Sequence, residues 1–320
     1  MILVPIVVSI IVYVAGGKLA EKSGWISFTA LCYTLLLCLM VAAQTSDGRI
    51  LVENYEWAPN INLNLTLQVD GLNIPVIFTI ILLSTAVSVF SIPYMKHRIG
   101  GQRKEYGLFY ALYLIYAAGM IGTTLTTNLL SFYIFYELML IPSFFIIIKW
   151  GYGEREKIGL IYFLWTHIGA LTLLAGILSL YAVSGSFNLL EVSAYLSQSN
   201  LSPQFLLVVA IAMSFGFFVK MAIFGVHIWL PHAHAEAPAP LSALLSPAMI
   251  GIGGYALVRI VLTLFPNILE SIGTVLMVWA LITIVYGSLM ALTQSDIKRL
   301  LAYSSMSQMG TCSLALPQKV

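Results

Sequence analysis

Residues 217 to 258 read FFVKMAIFGVHIWLPHAHAEAPAPLSALLSPAMIGIGGYALV, an apolar run that contains one lysine and continues into a turn rich in histidine and proline. Lys220 lies among phenylalanine, valine, methionine and isoleucine. A lysine at the centre of a bilayer costs about 2.5–3.5 kcal/mol unless it is paired, so charges inside membrane spans are commonly functional. The sequence therefore predicts a membrane helix here and a partner for Lys220 elsewhere in the chain.

The composition of the whole chain is typical of a protein embedded in a bilayer. Of its 320 residues 60% are apolar and only 9% are charged, and the mean hydropathy is +0.94. Soluble domains carry roughly a quarter charged residues. We therefore predict an all-α, polytopic transmembrane helical bundle that has the lipid bilayer, and no nucleic acid, as a partner. Three cysteines without paired or metal-ligand spacing are interpreted as buried apolar residues: Cys32, Cys38 and Cys312.

Ten apolar runs are long enough to cross a bilayer, which takes about 20 residues at a rise of 1.5 Å each. The first run lacks the basic segment and cleavage site of a signal peptide, so it is predicted to be a span. Only Thr127 and Asn128 separate spans four and five, which predicts a tight turn. The polar connection 44–70 is expected to hold a short β-hairpin or an interfacial segment. The runs are 1–16, 25–43, 72–94, 106–126, 128–148, 158–183, 204–226, 241–262, 270–291 and 300–316.

Basic residues support this count, because cytoplasmic loops collect Lys and Arg. With the N-terminus outside, only Arg49 and Arg259 fall on the outer side, while Lys220 lies within a span and Lys319 follows the last one. The asymmetry predicts ten spans with both ends outside. The other 11 of the 15 basic residues fall on the inner side: Lys18, Lys22, Lys96, Arg98, Arg103, Lys104, Lys149, Arg155, Lys157, Lys298 and Arg299.

Glu137, in SFYIFYELMLIPSFF, is the one acidic residue of 13 that lies near the middle of a predicted span. Two buried charges of opposite sign stabilise each other, and separating them favours the neutral form of both, as a proton relay requires. We therefore predict that Glu137 and Lys220 form a proton-translocating ion pair. Two alternatives remain: a protonated Glu137 bonded to a neighbouring helix, and a Lys220 that snorkels towards the inner boundary near Val226. Pro142 is expected to loosen the helix near the acid.

Histidines supply candidate relay groups close to this pair. His167, in the inner half of span six, either hands protons on near neutral pH or is a neutral histidine bonded to Ser, Thr or backbone. His227, His232 and His234 are interpreted as a wet proton entrance at the inner surface. Metal binding is disfavoured there, because the spacing is not HExxH and prolines interrupt it. Three glycines of span eight predict a close-packing face: Gly251, Gly253 and Gly254.

Two motifs resemble signatures of the proton-translocating antiporter-like subunits of respiratory complex I and its relatives. VHIWLPHAHAEAPAPLSALL resembles HTWLPDAHxxAPxxxSxLL, and QSDIKRLLAYSSMSQMG resembles QxDIKRLxAYSSxSHMG. Glu137 and Lys220 match the essential helix-five glutamate and helix-seven lysine of that family. The resemblance runs from about Gly71 to the end of the chain. It is closest to subunit M and extends to F(420)H(2) dehydrogenases, membrane hydrogenases and Mrp-type Na+/H+ antiporters.

The resemblance implies a membrane-arm subunit that translocates protons while other subunits pass electrons from NAD(P)H, F(420)H(2) or ferredoxin to a quinone. The chain would be part of an enzyme only as such a subunit, with no cofactor or metal of its own. FMN, iron–sulfur clusters and quinone would lie on partner subunits of a prokaryotic cell-membrane complex. An Mrp-type antiporter or membrane hydrogenase subunit is the alternative, and a non-transporting structural remnant is a third reading.

The resemblance also implies about fourteen helices with two inverted repeats, helices four to eight and nine to thirteen. We therefore divide the chain into 1–105, a complete first repeat at 106–262 and the start of a second at 263–320, and expect a truncated or split chain. The segments LLSFYIFYE and LLAYSSMSQ echo each other on helices of opposite direction.

The chain departs from the family pattern at several relay positions. Gly251 and Gln308 stand where the family has a lysine and a histidine. In helix seven, where the family often has prolines, this chain has Ala222 and Gly225, so glycine is expected to permit any break. His167 and bound water are expected to replace the missing relay groups.

Overall fold

The protein is described by a computed structural model that covers residues 1–58 and 63–315. Those parts of the predictions that fall on residues 59–62 and 316–320, including the end of the tenth span and Lys319, lie outside the described residues. The elements in chain order are α1 (Leu3–Leu19), α2 (Lys22–Gln44), β1 (Leu51–Ala58), β2 (Leu63–Val69), α3 (Ile74–Ile99), α4 (Arg103–Leu125), α5 (Leu129–Trp150), α6 (Arg155–Ser184), α7 (Leu189–Gln198), α8 (Pro203–Met221), α9 (Trp229–Glu236), α10 (Ala239–Leu244), α11 (Ile250–Ala256), α12 (Pro266–Ser271), α13 (Gly273–Leu292) and α14 (Ile297–Ala315).

Within the described residues, eight helical segments are long and apolar enough to cross a membrane. They are α2, α3, α4, α5, α6, α8, α13 and the run Ala239–Leu262, in which π-helical turns follow α10 and α11. This confirms the predicted multi-pass helical fold. Helix α1 is shorter, with 17 residues, and α14 is not among the eight. The count of ten spans and the division into repeats therefore stay predictions.

One end of the bundle carries the predicted β-hairpin. The two antiparallel strands pair Leu51 with Val69 and Tyr55 with Leu65. Strand β2 contacts the turn between α4 and α5, because the Thr127 backbone N–H donates to the Thr66 carbonyl at 3.1 Å. We call this the hairpin end, residues 44–58, 63–73, 126–128, 185–202 and 263–272.

The turn between α4 and α5 confirms the predicted tight connection. The Asn128 side chain accepts hydrogen bonds from the backbone N–H groups of Leu130 and Ser131, each at 3.1 Å. An asparagine at this position satisfies donors that the first turn of a helix leaves free. A second contact closes the end, since the Leu129 N–H donates to the Phe187 carbonyl at 2.8 Å.

The opposite end gathers many of the basic residues. Lys96 pairs with Glu21 at 3.0 Å and Lys149 with Glu105 at 2.8 Å, so the loops that follow α1, α3 and α5 meet there. We call this the basic end, residues 20–22, 96–104, 150–157 and 293–298. Helix α5 runs from the hairpin end to the basic end and α14 runs back, as expected for the two echoing segments.

The best-buried membrane helix is α4, which lies at the centre of the packing. Its Gly107 lies against Gly16 of α1, where an added Cβ would be 2.6 Å from the Gly16 Cα. Glycine thus allows the two backbones to touch, as small residues do between membrane helices. The buried tyrosines of α4 are Tyr106, Tyr110, Tyr113 and Tyr116.

Two predictions about small residues hold only in part. Among the cysteines Cys38 is buried, but Cys32 is half-buried and Cys312 is exposed. Gly253 packs on α8, since a Cβ there would be 2.6 Å from Met221 Cγ, which confirms its close-packing role. Gly251 faces open space in the described part of the chain, so the close-packing prediction is wrong for that glycine.

Candidate functional site

The site is built around a break in the seventh predicted span. Helix α8 ends at Met221, and the chain turns through Ala222, with φ 54°, and Gly225, with φ +94°, before α9 begins at Trp229. The predicted glycine break is therefore present at Gly225. The second left-handed residue, Ala222, carries no signal in the sequence, because alanine rarely adopts this conformation.

Lys220 lies in the last turn of α8 and is 1% exposed. Its Nζ lies 4.6 Å from the centre of the Tyr136 ring, within range of a cation–π interaction. Among the residues that the structure describes, this Nζ has no hydrogen-bond acceptor. The snorkelling alternative is wrong, since a snorkelling ammonium would reach a polar boundary.

Glu137 makes its direct contact with His167. The His167 Nδ1 lies 3.1 Å from Glu137 Oε2, with side-chain exposures of 35% and 15% respectively. The ring of His167 also stacks on Phe163, with centroids 5.4 Å apart. The alternative that His167 bonds to Ser, Thr or backbone is therefore not what the structure shows.

The predicted ion pair between Glu137 and Lys220 is not in direct contact. In the part of the chain that the structure describes, the ion pairs within 4.0 Å do not include Lys220. The two groups interact electrostatically over a longer distance. Lys220 instead faces Tyr136, the residue next to Glu137. The Tyr136 hydroxyl donates to the Gly216 carbonyl at 3.3 Å. The Glu137 carboxylate thus has two basic partners: His167, which it contacts, and Lys220, with which it interacts without contact.

His227 lies in the break and is held in a fixed orientation. Its Nδ1 accepts a hydrogen bond from the Gly225 N–H at 3.2 Å, so in the neutral ring Nε2 carries the proton. Its ring lies against Phe224 and Tyr286, with centroids 5.8 Å and 5.0 Å away. This places one of the predicted relay histidines seven residues after Lys220, beyond the end of α8.

His234 and His232 lie on α9 but in different surroundings. His234 is 2% exposed, and its Nδ1 lies 2.6 Å from Ser242 Oγ. Burial, together with the nearby charge of Lys298, lowers the pKa of His234 to about 4, so this ring is neutral at pH 7. His232 is exposed. The three histidines of the predicted cluster are therefore split: His227 and His234 are buried, and His232 is accessible.

A cavity of about 460 Å³, lined by both apolar and polar side chains, adjoins His234 between α9, α10 and α14. Hydroxyl and amide side chains in its wall can hold water, which bonds well to such groups. Gln308, which replaces the histidine of the family motif, is part of this wall. The polar lining is His234, Ser242, Ser246, Lys298, Ser304, Ser305 and Gln308.

Sequence reasoning missed the tyrosines around the acid. Tyr136 faces Lys220, and the hydroxyl of Tyr162 lies 2.7 Å from Ser143 Oγ, one residue after the helix proline. Tyr162 also packs on Trp229, with ring centroids 5.3 Å apart. The available signal was the presence of tyrosine rather than phenylalanine in an apolar span, because a buried hydroxyl needs a partner.

Comparison with known sequences identifies related proteins. Residues 126–318 match the family described as NADH:quinone oxidoreductase/Mrp antiporter, TM, and residues 57–105 match the N-terminus of complex I chain 5. Subunit M of the NADH-quinone oxidoreductase of Rhodobacter capsulatus is 31% identical over 94% of this chain and 59% of its own length. Subunit M of the F(420)H(2) dehydrogenase of Methanosarcina mazei is 33% identical over 97% of this chain and 62% of its own length. The chain thus spans about three fifths of these curated relatives.

Solved structures share the fold. The Mrp complex from Dietzia sp. contains a chain that superposes with a TM-score of 0.85 at 24% identity, over 99% of this chain and 33% of that one. Respiratory complex I from Thermus thermophilus contains a chain that superposes with a TM-score of 0.81 at 24% identity, over 97% of this chain and 64% of that one.

Proposed function

Because this chain belongs to the NADH:quinone oxidoreductase/Mrp antiporter transmembrane family, we propose that it is a membrane subunit that translocates protons while partner subunits transfer electrons. The observation that carries the proposal is a buried Lys220 amine at a helix break, close to a Glu137–His167 pair. The names of curated relatives, which are subunits of quinone and F(420)H(2) oxidoreductases, support the redox coupling. The proposal assigns FMN, iron–sulfur clusters and quinone to those partner subunits.

The carboxylate of Glu137 has two basic groups within its influence. It contacts His167 at 3.1 Å and acts on Lys220 without contact. In a medium of low dielectric constant, the proton occupancy of one buried group depends strongly on the charge next to it. Movement of the carboxylate towards Lys220 would stabilise the protonated amine, and return to His167 would favour proton release. Redox energy from partner subunits would drive this exchange.

The histidines beyond the break supply the inner part of the proposed pathway. His227 presents Nε2, and the polar side chains in the wall of the cavity beside His234 can bind water molecules. His232 lies on the same short helix and is exposed to solvent. The proposal therefore routes protons from the basic end, past α9, to Lys220.

Replacement of Glu137 by Gln tests the role of the carboxylate, because the amide keeps the shape and removes the charge. In membranes that contain the assembled complex, we expect E137Q to abolish redox-linked proton movement. Electron transfer from the donor to an artificial acceptor should be retained. Glu154→Gln is the matched control, since Glu154 forms an exposed pair with Lys157 at the basic end. An unchanged ratio of protons to electrons in E137Q would exclude the proposed role.

An Mrp-type antiporter subunit is the second candidate, because the matching family includes both classes. The two differ in driving force: an antiporter exchanges ions along their gradients without a redox partner. Purification of the chain with its native neighbours discriminates between them. Quinone-reductase or hydrogenase subunits in the purified complex would favour the redox-linked role, and small antiporter subunits alone would favour the second. Ion movement unaffected by E137Q in either setting would point to a non-transporting remnant.

The proposed location is a prokaryotic cell membrane, with the N-terminus outside and the basic end on the cytoplasmic side. The many basic residues at that end support this orientation. The bacterial and archaeal relatives support the prokaryotic assignment.

A further inference from the structure

The loop between α5 and α6 closely approaches the end of α9. The Tyr152 N–H donates to the Glu236 carbonyl at 2.8 Å. A Cβ on Gly151 would lie 2.8 Å from the same carbonyl oxygen, and a Cβ on Gly153, which has φ +46°, would lie 2.7 Å from Glu236 Oε2. Glycine at both positions therefore lets this loop cradle the last residue of α9.

The Tyr152 ring is held between two cations. Arg98 Cζ lies 4.3 Å from the ring centre and Lys298 Nζ lies 4.8 Å from it. We call Arg98, Tyr152 and Lys298 the aromatic clamp. Arg98 also donates from Nε to the Trp150 carbonyl at 3.3 Å. The clamp therefore joins α3, the loop after α5 and the start of α14.

Lys298 extends the clamp to α9. Its Nζ donates to the Ala237 carbonyl at 2.8 Å and to the Ala235 carbonyl at 3.3 Å. These carbonyls lie at the C-terminal end of α9, where the last peptide groups lack partners and the helix dipole favours a positive charge. A single ammonium thus satisfies the end of the short helix and anchors it to the Tyr152 ring.

The other end of α9 is tied to the helix of Lys220. The Trp229 indole Nε1 donates to the Val219 carbonyl at 2.9 Å, one residue before Lys220. Helix α9 therefore reaches from the broken end of α8 to the loop that follows the helix of Glu137. It connects these helices in addition to their direct contacts, which include Phe132 on Phe217 and Tyr136 with Lys220 and the Gly216 carbonyl.

We propose that Tyr152 and Lys298 are positioning residues that hold α9, and His234 on it, in place between the helix of Lys220 and the helix of Glu137. The inference rests on the proposed function, because His234 matters only if protons pass the basic end. Neither residue touches the Glu137–His167 pair, so both act through α9. Loss of the aromatic clamp would release the C-terminal end of α9.

The charge of Lys298 gives the clamp an effect on protonation as well as on position. Besides burial, the Lys298 charge lowers the pKa of His234. The other groups that face Lys298 are Asp296 on its own segment, Glu236 on α9 and Arg98 on α3, and burial lowers the pKa of Lys298 itself. Removal of the ammonium should therefore raise the pKa of His234, whereas Lys298→Arg keeps the charge.

Hydrogen exchange of the full chain in lipid nanodiscs tests the positional part. Tyr152→Leu removes the ring, whereas Tyr152→Phe keeps the ring and removes only the hydroxyl that contacts Tyr94. Lys298→Gln removes the charge, and Lys298→Arg keeps it. We expect residues 229–238 to exchange about tenfold faster in the Leu and Gln variants and near the wild-type rate in the Phe and Arg variants. Unchanged exchange there, or an increase spread evenly over α3, α5 and α6, would overturn the proposal.

NMR titration of the histidine rings, assigned with His234→Gln, tests the electrostatic part. His234 should take up its proton at a higher pH in Lys298→Gln than in the wild type, and Lys298→Arg should restore the wild-type titration. An identical titration in all three proteins would contradict the inference. Neither the hydrogen exchange nor the NMR titration requires ion movement. If both give the expected results but the chain carries no protons, only the proposed function is contradicted.

Discussion

Lys220 lies in surroundings that do not favour a charged side chain. Its amine is buried against an aromatic ring and, among the described residues, has no hydrogen-bond acceptor. Burial of a charge is unfavourable unless pairing and hydrogen bonds offset it. A residue kept under such conditions is expected to serve function at the expense of stability.

Lys220→Met tests this balance, because methionine has a similar length and no charge. We expect the free energy of unfolding in nanodiscs to stay the same or rise by about 1–2 kcal/mol, while proton movement is lost. Lost cation–π attraction, about 1–2 kcal/mol, limits the gain. Lys157→Met, at an exposed site, is the control and should leave the melting temperature close to that of the wild type. A marked drop in melting temperature for Lys220→Met would mean that the amine has a stabilising partner.

The broken helix is the element that sets the geometry of the site. A continuous helix through residues 219–229 would hold its backbone groups in intrahelical hydrogen bonds. The break leaves some of these groups to bond with side chains instead. Trp229 donates to Val219 and Gly225 donates to His227, so side chains at the break are fixed by backbone groups. Broken membrane helices are tolerated where protein satisfies the freed backbone groups.

Two substitutions at the break should have opposite effects on stability. Ala222→Gly removes left-handed strain, which costs roughly 1–2 kcal/mol for alanine, but adds freedom to the unfolded chain. The net expectation is a gain of about 0.5–1 kcal/mol. Gly225→Ala meets open space in the described part of the chain, so its effect comes from the backbone alone. Left-handed strain, partly offset by the lower freedom of the unfolded chain, gives an expected net loss of about 0.5–1 kcal/mol. Thermal unfolding of both variants is the measurement, and equal shifts in one direction would refute the assignment of strain.

The whole molecule is a bundle with two chemically different ends. The hairpin end is closed by backbone bonds and by the Arg259–Asp70 pair, whose atoms are 2.6 Å apart. Burial opposes charge on Asp70, but hydrogen bonds from Arg259 and Gln68 keep the pKa of its carboxyl below the usual range. The basic end is held by the aromatic clamp and by surface ion pairs. This difference allows the orientation of the chain in the membrane to be tested.

Cysteine labelling in intact cells tests the proposed orientation. A cysteine at Asp47, on the hairpin end, should react with a membrane-impermeant maleimide from outside, and a cysteine at Lys157, on the basic end, should react only after permeabilisation. The wild-type chain, which has three cysteines, provides the background. Labelling of position 157 in intact cells would show that the chain has the opposite orientation in the membrane.

Local chemistry in the sequence was sufficient for much of the architecture. Hydropathy located the membrane helices, because about 20 apolar residues are needed wherever a helix crosses lipid. The short interval at Thr127 and Asn128 indicated the tight turn between α4 and α5, and Gly225 indicated the break, because glycine readily adopts conformations that interrupt a helix. Glu137 and Lys220 were recognisable because charges are rare in such spans.

Tertiary packing alone decided which of these groups meet. Glu137 contacts His167, 30 residues away, because of the rotation and depth of α5 and α6, and neither is encoded in local hydropathy. The same holds for the aromatic clamp, whose Arg98, Tyr152 and Lys298 come from three separate segments. The sequence therefore determined that this protein is a membrane bundle with two charges inside it. The three-dimensional packing determined their partners, because the energy of a buried charge depends on the few ångströms between side chains of different helices.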